Sequence, residues 1–220
     1  MTAVVILAGL NGGPATASLP LNTTPPTRAE SRAIALRAQF GLQNDLSYVR
    51  AAESAATSSA TVDLGIPLTP AEHAEMARRD RLGSAMASIE KTFTGADPTY
   101  VGVWLDQASG GILNVSFTAD PSPQTAAQLQ ELLPAGASAR VTVVPTPLAT
   151  LTAVAAQITQ DMIQNGQHND LTIVSSGVDV STDSVTVTIL NSAPIGEEAA
   201  LLARYGPTLT ITRGEQFIAL

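Results

Sequence analysis

Ser109 and His73 are residues whose types could support acyl transfer, because a histidine can activate a serine hydroxyl as a nucleophile. Ser109 stands in the segment Ala108-Ser109-Gly110-Gly111, and no aspartate directly precedes it. His73 falls among acidic residues in the first turns of a predicted helix. A catalytic histidine also has to be oriented by a third group, and neither segment supplies one. The sequence therefore predicts that Ser109 is a turn residue and His73 a solvent-exposed helix residue.

Four residues near the end of the chain have side chains that suit divalent metal ions: His168, Asp170, Asp179 and Asp183. Their spacing matches neither a helical histidine pair nor a calcium loop. Asp183 falls in a predicted hairpin turn, where aspartate is favoured for backbone reasons. The chain has no cysteine, which excludes thiolate ligands and disulfides, and no phosphate-binding glycine loop is present. We expect no metal site, no cofactor and no catalytic activity.

The composition indicates a folded, acidic protein. Of its 220 residues, 45% are hydrophobic and 14% are charged, which is enough for a buried core. The formal net charge of −8 opposes binding to a phosphate backbone, so we expect no nucleic-acid partner. The cluster Arg78-Arg79-Asp80 is the densest basic segment, and the simplest interpretation is a solvated helix face with local charge pairs.

Two predicted hairpins, over residues 100–117 and 171–190, occupy equivalent places in a repeated order of elements. Each follows a predicted helix and precedes a shorter helix and a final strand. Asp106 and Asp179 end the first strand of each hairpin and are expected to initiate its turn. The fold class predicted is therefore α+β, a tandem repeat of two helix-strand-strand-helix-strand units. The units span residues 69–145 and 146–215, after a helical N-terminal segment over 27–68.

Local signals place the individual elements. Capping boxes begin helices at Thr27 and Thr69, and Pro70 strengthens the second signal. A second helix is predicted over about 45–56 and a flexible joint over 57–61. In the second hairpin, apolar residues alternate with threonines, so one face of the sheet is predicted to be buried and the other wet. The single tryptophan, Trp104, is expected to anchor the core of the first sheet.

The first 26 residues are interpreted as a signal-peptide-like start and linker. They carry no charge and contain an apolar run over residues 3–10, followed by the small residues Ala15-Thr16-Ala17. The alternative is a buried strand over residues 3–7 of the folded protein. The run is too short to cross a bilayer, so we expect a secreted or cell-envelope protein without a stable membrane span.

Several short motifs resemble the N-terminal regions of secreted actinobacterial proteins, which are similar to the pro-segments of alpha-lytic protease and streptogrisin-type serine proteases. The similarity covers roughly residues 40–215, and its motifs are Leu68-Thr69-Pro70-Ala71-Glu72, Arg78-Arg79-Asp80, Val101-Gly102-Val103-Trp104-Leu105-Asp106 with Gly110-Gly111, and Arg204-Tyr205-Gly206-Pro207. In that family the pro-region is not an enzyme. The resemblance implies small α+β units that assist the folding of a chymotrypsin-like protease and inhibit it by lying against its surface.

The resemblance also implies a partner surface. In the family the C-terminal unit meets the protease, which points here to Val185, Val187, Ile189, Leu209 and Ile211. The partner would be a chymotrypsin-like serine protease or another extracellular protein, bound through a sheet edge or an exposed sheet face. No protease domain is present in the sequence, and the order of elements fits a BON-like envelope or extracellular binding module equally well. An enzyme whose site lies in a cleft between the repeats is the third alternative.

Overall fold

The computed structural model of the protein describes residues 24–59, 62–63, 65–166 and 172–215. Residues 1–23 of the predicted signal-like segment, and with them the alternative strand over residues 3–7, lie outside the described residues. What the structure does describe is an α+β fold with two three-stranded sheets, preceded by a helical N-terminal segment.

The N-terminal segment contains two helices and a small hairpin. Helix α1 (Arg28–Gln39) begins with the predicted capping box: Thr27 Oγ1 accepts the Glu30 N–H, and the Glu30 carboxylate accepts the Thr27 N–H at 2.6 Å. Helix α2 (Leu46–Ser59) continues through the first part of the predicted joint, since its alanine-rich sequence favours propagation. Strands β1 (Val62–Asp63) and β2 (Ile66–Pro67) form a hairpin that was not predicted from the sequence.

The first unit consists of α3 (Pro70–Phe93), β3 (Tyr100–Asp106), β4 (Ile112–Phe117), α4 (Pro123–Leu132) and β5 (Ala139–Val143). Strand β4 lies in the middle of the sheet, antiparallel to β3 and parallel to β5. The helices α3 and α4 cover one face. The core between them is apolar and partly aromatic: Leu82, Ile89, Phe93, Tyr100, Leu113, Val115, Phe117 and Leu129.

The second unit repeats this arrangement. It consists of α5 (Leu148–Gly166), β6 (Ile173–Asp179), β7 (Ser184–Leu190), α6 (Glu197–Tyr205) and β8 (Leu209–Gly214), with β7 central, antiparallel to β6 and parallel to β8. Each sheet also has a register shift, of the kind that a β-bulge causes, at the same place: just after the first residue of its first strand. The shared topology and the shared bulge confirm the predicted tandem repeat.

The two turn aspartates also have the predicted role. Asp106 accepts the Ser109 N–H at 3.0 Å, and Asp179 accepts the Ser181 N–H at 2.9 Å. Each bond joins residues two or three positions apart within a hairpin turn, as aspartate side chains often do with the backbone ahead of them. The equivalence of the two positions therefore reflects repeated turn chemistry.

The two units pack against each other through strand β3. Val101, at the bulge, is fully buried within the core of the second unit. Gly102 lies so close to the second hairpin that a Cβ atom there would be 2.6 Å from Val180 Cβ. At the linker, the Thr146 N–H donates to Asp183 Oδ2 at 3.2 Å. The repeats therefore share buried surface.

We expect Gly102→Ala to destabilise the protein by about 1–3 kcal/mol, because an added methyl group overpacks this contact. Val180→Ala should cost less than Gly102→Ala and should recover part of the loss in the double variant, since it removes Cγ1 and Cγ2, which would lie 2.6 and 2.8 Å from the new methyl group, but keeps Cβ. Urea unfolding of the three variants measures the coupling. Additive effects in the double variant would contradict the contact.

Candidate binding surfaces

Ser109 and His73 lie in the elements that the sequence predicts for them. Ser109 is an exposed residue of the turn between β3 and β4. His73 is an exposed residue in the first turns of α3. These positions match their interpretation as turn and helix residues.

The four candidate metal ligands are only partly within the described structure. His168 and Asp170 lie outside the described residues, and Asp179 is engaged in its hairpin turn. Asp183 has a positive φ of 51° and holds the Thr146 N–H through Oδ2. Among the residues that the structure describes, no group of three metal-ligating side chains comes together.

Four of the five residues predicted to bind a partner have side chains in the core: three lie on strand β7, and the fourth, Leu209, begins strand β8. Val185, Val187 and Ile189 are fully buried on the central strand β7. They stabilise the second unit, and a partner could reach their side chains only if the unit opened. The alternation that marked this strand is therefore confirmed as a core pattern, with Thr186 and Thr188 on the wetter face.

The two predicted residues outside β7, Leu209 and Ile211, lie on the edge strand β8. The Val185 N–H donates to Thr208 O at 2.9 Å, and the Asn191 N–H donates to Gly214 O at 2.9 Å. Because bonding groups alternate along a parallel pair, the even-numbered residues between these points face β7. The backbone N–H and C=O groups of Leu209, Ile211 and Arg213 therefore point away from the sheet.

The uncovered face of the second sheet is rich in hydroxyl groups. Thr186 and Thr188 on β7 stand opposite Thr210 and Thr212 on β8. The Thr188 and Thr212 hydroxyls lie 3.4 Å apart. This face and the outward backbone of β8 adjoin, so a strand that paired with β8 would extend a polar, hydrated surface.

Trp104 does not anchor the first core as predicted. The bulge at Val101 shifts the alternation of β3, so that Val103 and Leu105 pack on the core side and Trp104 turns to the opposite face. There it is half-buried and lines an open groove of about 620 Å³ with Asn114, Arg140 and Ser181 among its neighbours. The sequence pattern could not reveal this, because one inserted residue reverses the face of every residue after it.

Arg79 is the other residue whose environment differs from the prediction. It is not solvated but only 3% exposed. Its guanidinium donates to Glu75 Oε1 at 2.8 Å, to Phe40 O at 2.6 Å and to Gln107 Oε1 at 2.9 Å. A Cβ on Gly111 would lie 2.6 Å from Arg79 Nε, so glycine makes room for the arginine at this turn. This arginine joins α3, the end of α1 and the first hairpin.

A second buried arginine, Arg37, joins the N-terminal helices to the first unit. It is 1% exposed and donates to Gln43 O at 2.5 Å and to Pro67 O at 3.0 Å. It also pairs with Glu72, the acidic residue of the α3 capping box. The burial of these two arginines had no signal in the sequence, since a buried and an exposed helical arginine look alike there.

Glu75 makes the stability of the folded protein depend on pH. Hydrogen bonds from Arg78, and then from Arg79, outweigh desolvation and lower the pKa of the Glu75 carboxyl from 4.5 to about 2. A depressed pKa means that the carboxylate stabilises the folded protein above pH 4.5, and that this contribution is lost as pH falls toward 2.

We expect Glu75→Gln to be less stable than the natural protein at pH 6, and the difference to shrink as pH falls from 4.5 toward 2, because the natural carboxyl takes up its proton over that range. Urea unfolding at pH 6, 4, 3 and 2.5 measures the difference at each pH. Glu131→Gln, an exposed change on α4, is the control and should leave the pH profile unchanged. A Glu75→Gln profile parallel to the natural one would contradict the assignment.

Comparisons with known proteins assign the chain to no family. No protein-family model matches it, and no curated protein matches it. Within the described part of the chain, none of the helices combines the length and the apolar character needed to cross a bilayer.

Proposed function

We propose that the protein is an exported, non-catalytic binding module that resembles a serine-protease pro-region and binds a chymotrypsin-like protease by strand addition to β8. Binding against the protease surface would assist its folding and inhibit it. The motif resemblance over residues 40–215 supports the choice of partner. The α+β units agree with the architecture that this resemblance implies.

The observation that carries the proposal is the outward-facing backbone of β8. Leu209, Ile211 and Arg213 present N–H and C=O groups that no strand of the second sheet uses. Strand addition takes its affinity from such main-chain hydrogen bonds and needs few specific side chains. The adjoining threonine face can remain hydrated in the complex, as polar rims of protein interfaces do.

The test is titration of the purified protein into secreted chymotrypsin-like proteases, following the hydrolysis rate of a chromogenic peptide and the yield of refolded protease. We expect inhibition and a higher refolding yield. Ile211→Pro should weaken inhibition at least about tenfold, because proline removes an outward N–H without breaking the ladder to β7. A proline at Val187 would be uninformative, since it disrupts the central strand.

Val141→Pro is the matched control, because Val141 holds the same place on the edge of the first sheet that Ile211 holds on the second. It should inhibit as the natural protein does. If Ile211→Pro also inhibits normally, β8 is the wrong surface. If none of the proteases responds to the natural protein, the proposal fails and a BON-like binding module, favoured by the repeated order of elements, takes its place.

A further inference from the structure

We propose a second binding site, on the first unit, for the C-terminal end of an extended peptide. The peptide pairs antiparallel with the edge strand β5, and its terminal carboxylate enters the cavity beside Arg81. The site has no residue in common with the β8 surface and does not depend on the protease proposal. Three features of the first unit support it.

The first feature is the free edge of β5. The Val144 N–H donates to Phe117 O at 2.9 Å, so the two-residue period of the parallel pair turns Arg140 and Thr142 toward β4. The backbone groups of Val141 and Val143 point outward from the sheet. An incoming strand can therefore bond to both residues.

The second feature is the apolar character of this edge. Val141 is 40% exposed and Val143 is 53% exposed, although their partners Val115 and Phe117 on β4 are fully buried. The two valines thus extend the core face beyond the cover of the helices. Side chains of an added strand that lie on this face would pack against them and bury apolar surface.

The second unit carries a different residue at the equivalent place. Arg213 occupies the position that Val143 has in the first unit, and its side chain donates to Glu198 Oε1 at 2.8 Å and to Ala193 O at 3.1 Å. Both edges leave outward backbone groups for an added strand, but exposed valines favour strand pairing more than a charged residue does. The edge of β5 is therefore suited to a more apolar strand than the edge of β8.

The third feature is a cavity of about 360 Å³ at the end where β5 begins. It lies between α3, the first hairpin turn and the loop that leads into β5, and among the residues that line it are Arg78, Arg81, Ile112, Ala135, Gly136 and Ser138. A lining that combines aliphatic residues with arginines suits a terminal residue with an aliphatic side chain and a free carboxylate.

The two arginines that line the cavity differ in whether their side chains are already bonded. Arg78 is occupied by Glu75 and by the carbonyls of Gly110 and Gly111. Arg81 is exposed, and within the described part of the chain it has no ion pair. In a protein of net charge −8, an exposed arginine that is not held in an ion pair attracts an anion.

The polarity of the peptide follows from these positions. A strand antiparallel to β5 runs from the Val143 end toward the Ala139 end, so its last residue arrives at the loop 134–138 and the cavity. A parallel strand would bring its C-terminus to the opposite end, away from Arg81. The ligand class is therefore an extended peptide with alternating aliphatic side chains, an aliphatic last residue and a free carboxylate.

Fluorescence anisotropy with a labelled hexapeptide tests the site. The probe has the sequence Ser-Val-Lys-Val-Ser-Leu with a free C-terminus, and the comparison probe is the same peptide as a C-terminal amide. We expect the acid to bind the full chain about tenfold more tightly than the amide, the order expected for one charge-assisted contact. Equal binding of the two peptides, or no binding of either at millimolar protein, overturns the proposal.

Variants separate the two parts of the site. Arg81→Gln should bring the affinity for the acid down to that for the amide, whereas Arg140→Gln, on the same strand edge but the opposite sheet face, should change it less than twofold. Val141→Pro should abolish binding of both peptides, and Val143→Lys gives the same test without a proline. Ile211→Pro should bind both peptides normally, so failure here and failure at β8 are distinguishable. An Arg81→Gln variant that still prefers the acid would refute the assigned carboxylate contact.

Discussion

Replacing Arg79 with leucine should lower the free energy of unfolding by about 3–5 kcal/mol, the effect expected when one partner of a buried ionic network is removed. The guanidinium is 3% exposed and bonds to the backbone at Phe40 and to the side chains of Glu75 and Gln107. Leucine fills much of the volume but leaves these acceptors without their donor. The partly buried acceptors at Phe40 and Gln107, which lose this donor, account for much of the cost.

Urea unfolding followed by circular dichroism measures the change, and Arg32→Leu is the matched control. Arg32 is an exposed residue of α1, so the same substitution there should alter stability by less than about 0.5 kcal/mol. An Arg79→Leu effect as small as the control would show that water replaces the guanidinium. In that case Arg79 would not be what joins α1 and the first hairpin to α3.

The helix starts and the repeat could be predicted from the sequence because their causes are local. Thr27 and Thr69 each accept a backbone N–H three residues ahead, and the following glutamate returns the bond. Both bonds are set by residue type and spacing alone. The strand alternation of β7 is equally local, since threonine and valine take opposite faces of the pleat without reference to the rest of the chain.

The environments of Trp104 and Arg79 could not be predicted, because both depend on distant parts of the chain. Trp104 changed face through a bulge that exists only when β3 pairs with β4. Arg79 became buried only when the end of α1 and the first hairpin closed over α3. The burial of Val185, Val187 and Ile189 was missed for a similar reason, since strand order decides that β7 is central and β8 an edge.

Phe117→Ala should also lower the free energy of unfolding by about 3–5 kcal/mol, through lost burial and the cavity that it leaves. Phe117 is fully buried at the end of β4. Its ring lies edge-on to Phe93 at 6.1 Å and to Tyr100 at 5.8 Å between centroids, an arrangement that adds to simple burial. For a domain of ordinary stability the loss is a large fraction of the total.

Two probes show how far that loss spreads. Trp104 is the only tryptophan, so its fluorescence reports the first sheet and the groove that this sheet forms with Ser181 of the second hairpin, and amide exchange of Val185, Val187 and Ile189 reports the core of the second unit. Because Val101 of the first sheet is buried in the second core, we expect both probes of Phe117→Ala to shift together in urea. Protection of β7 that survives the loss of the Trp104 signal would mean that the units unfold separately.

Whether the two units unfold together or separately decides whether ligand binding at β5 and ligand binding at β8 are coupled. Units that unfold together hold β5 and β8 in one fixed relation, so a ligand at either edge stabilises the strand at the other through the shared core. Peptide bound at β5 would then raise the stability of the second unit, and amide exchange of β7 would slow when the peptide is added. Units that unfold separately would bind their ligands independently, and the repeat would serve only to join two unrelated edges.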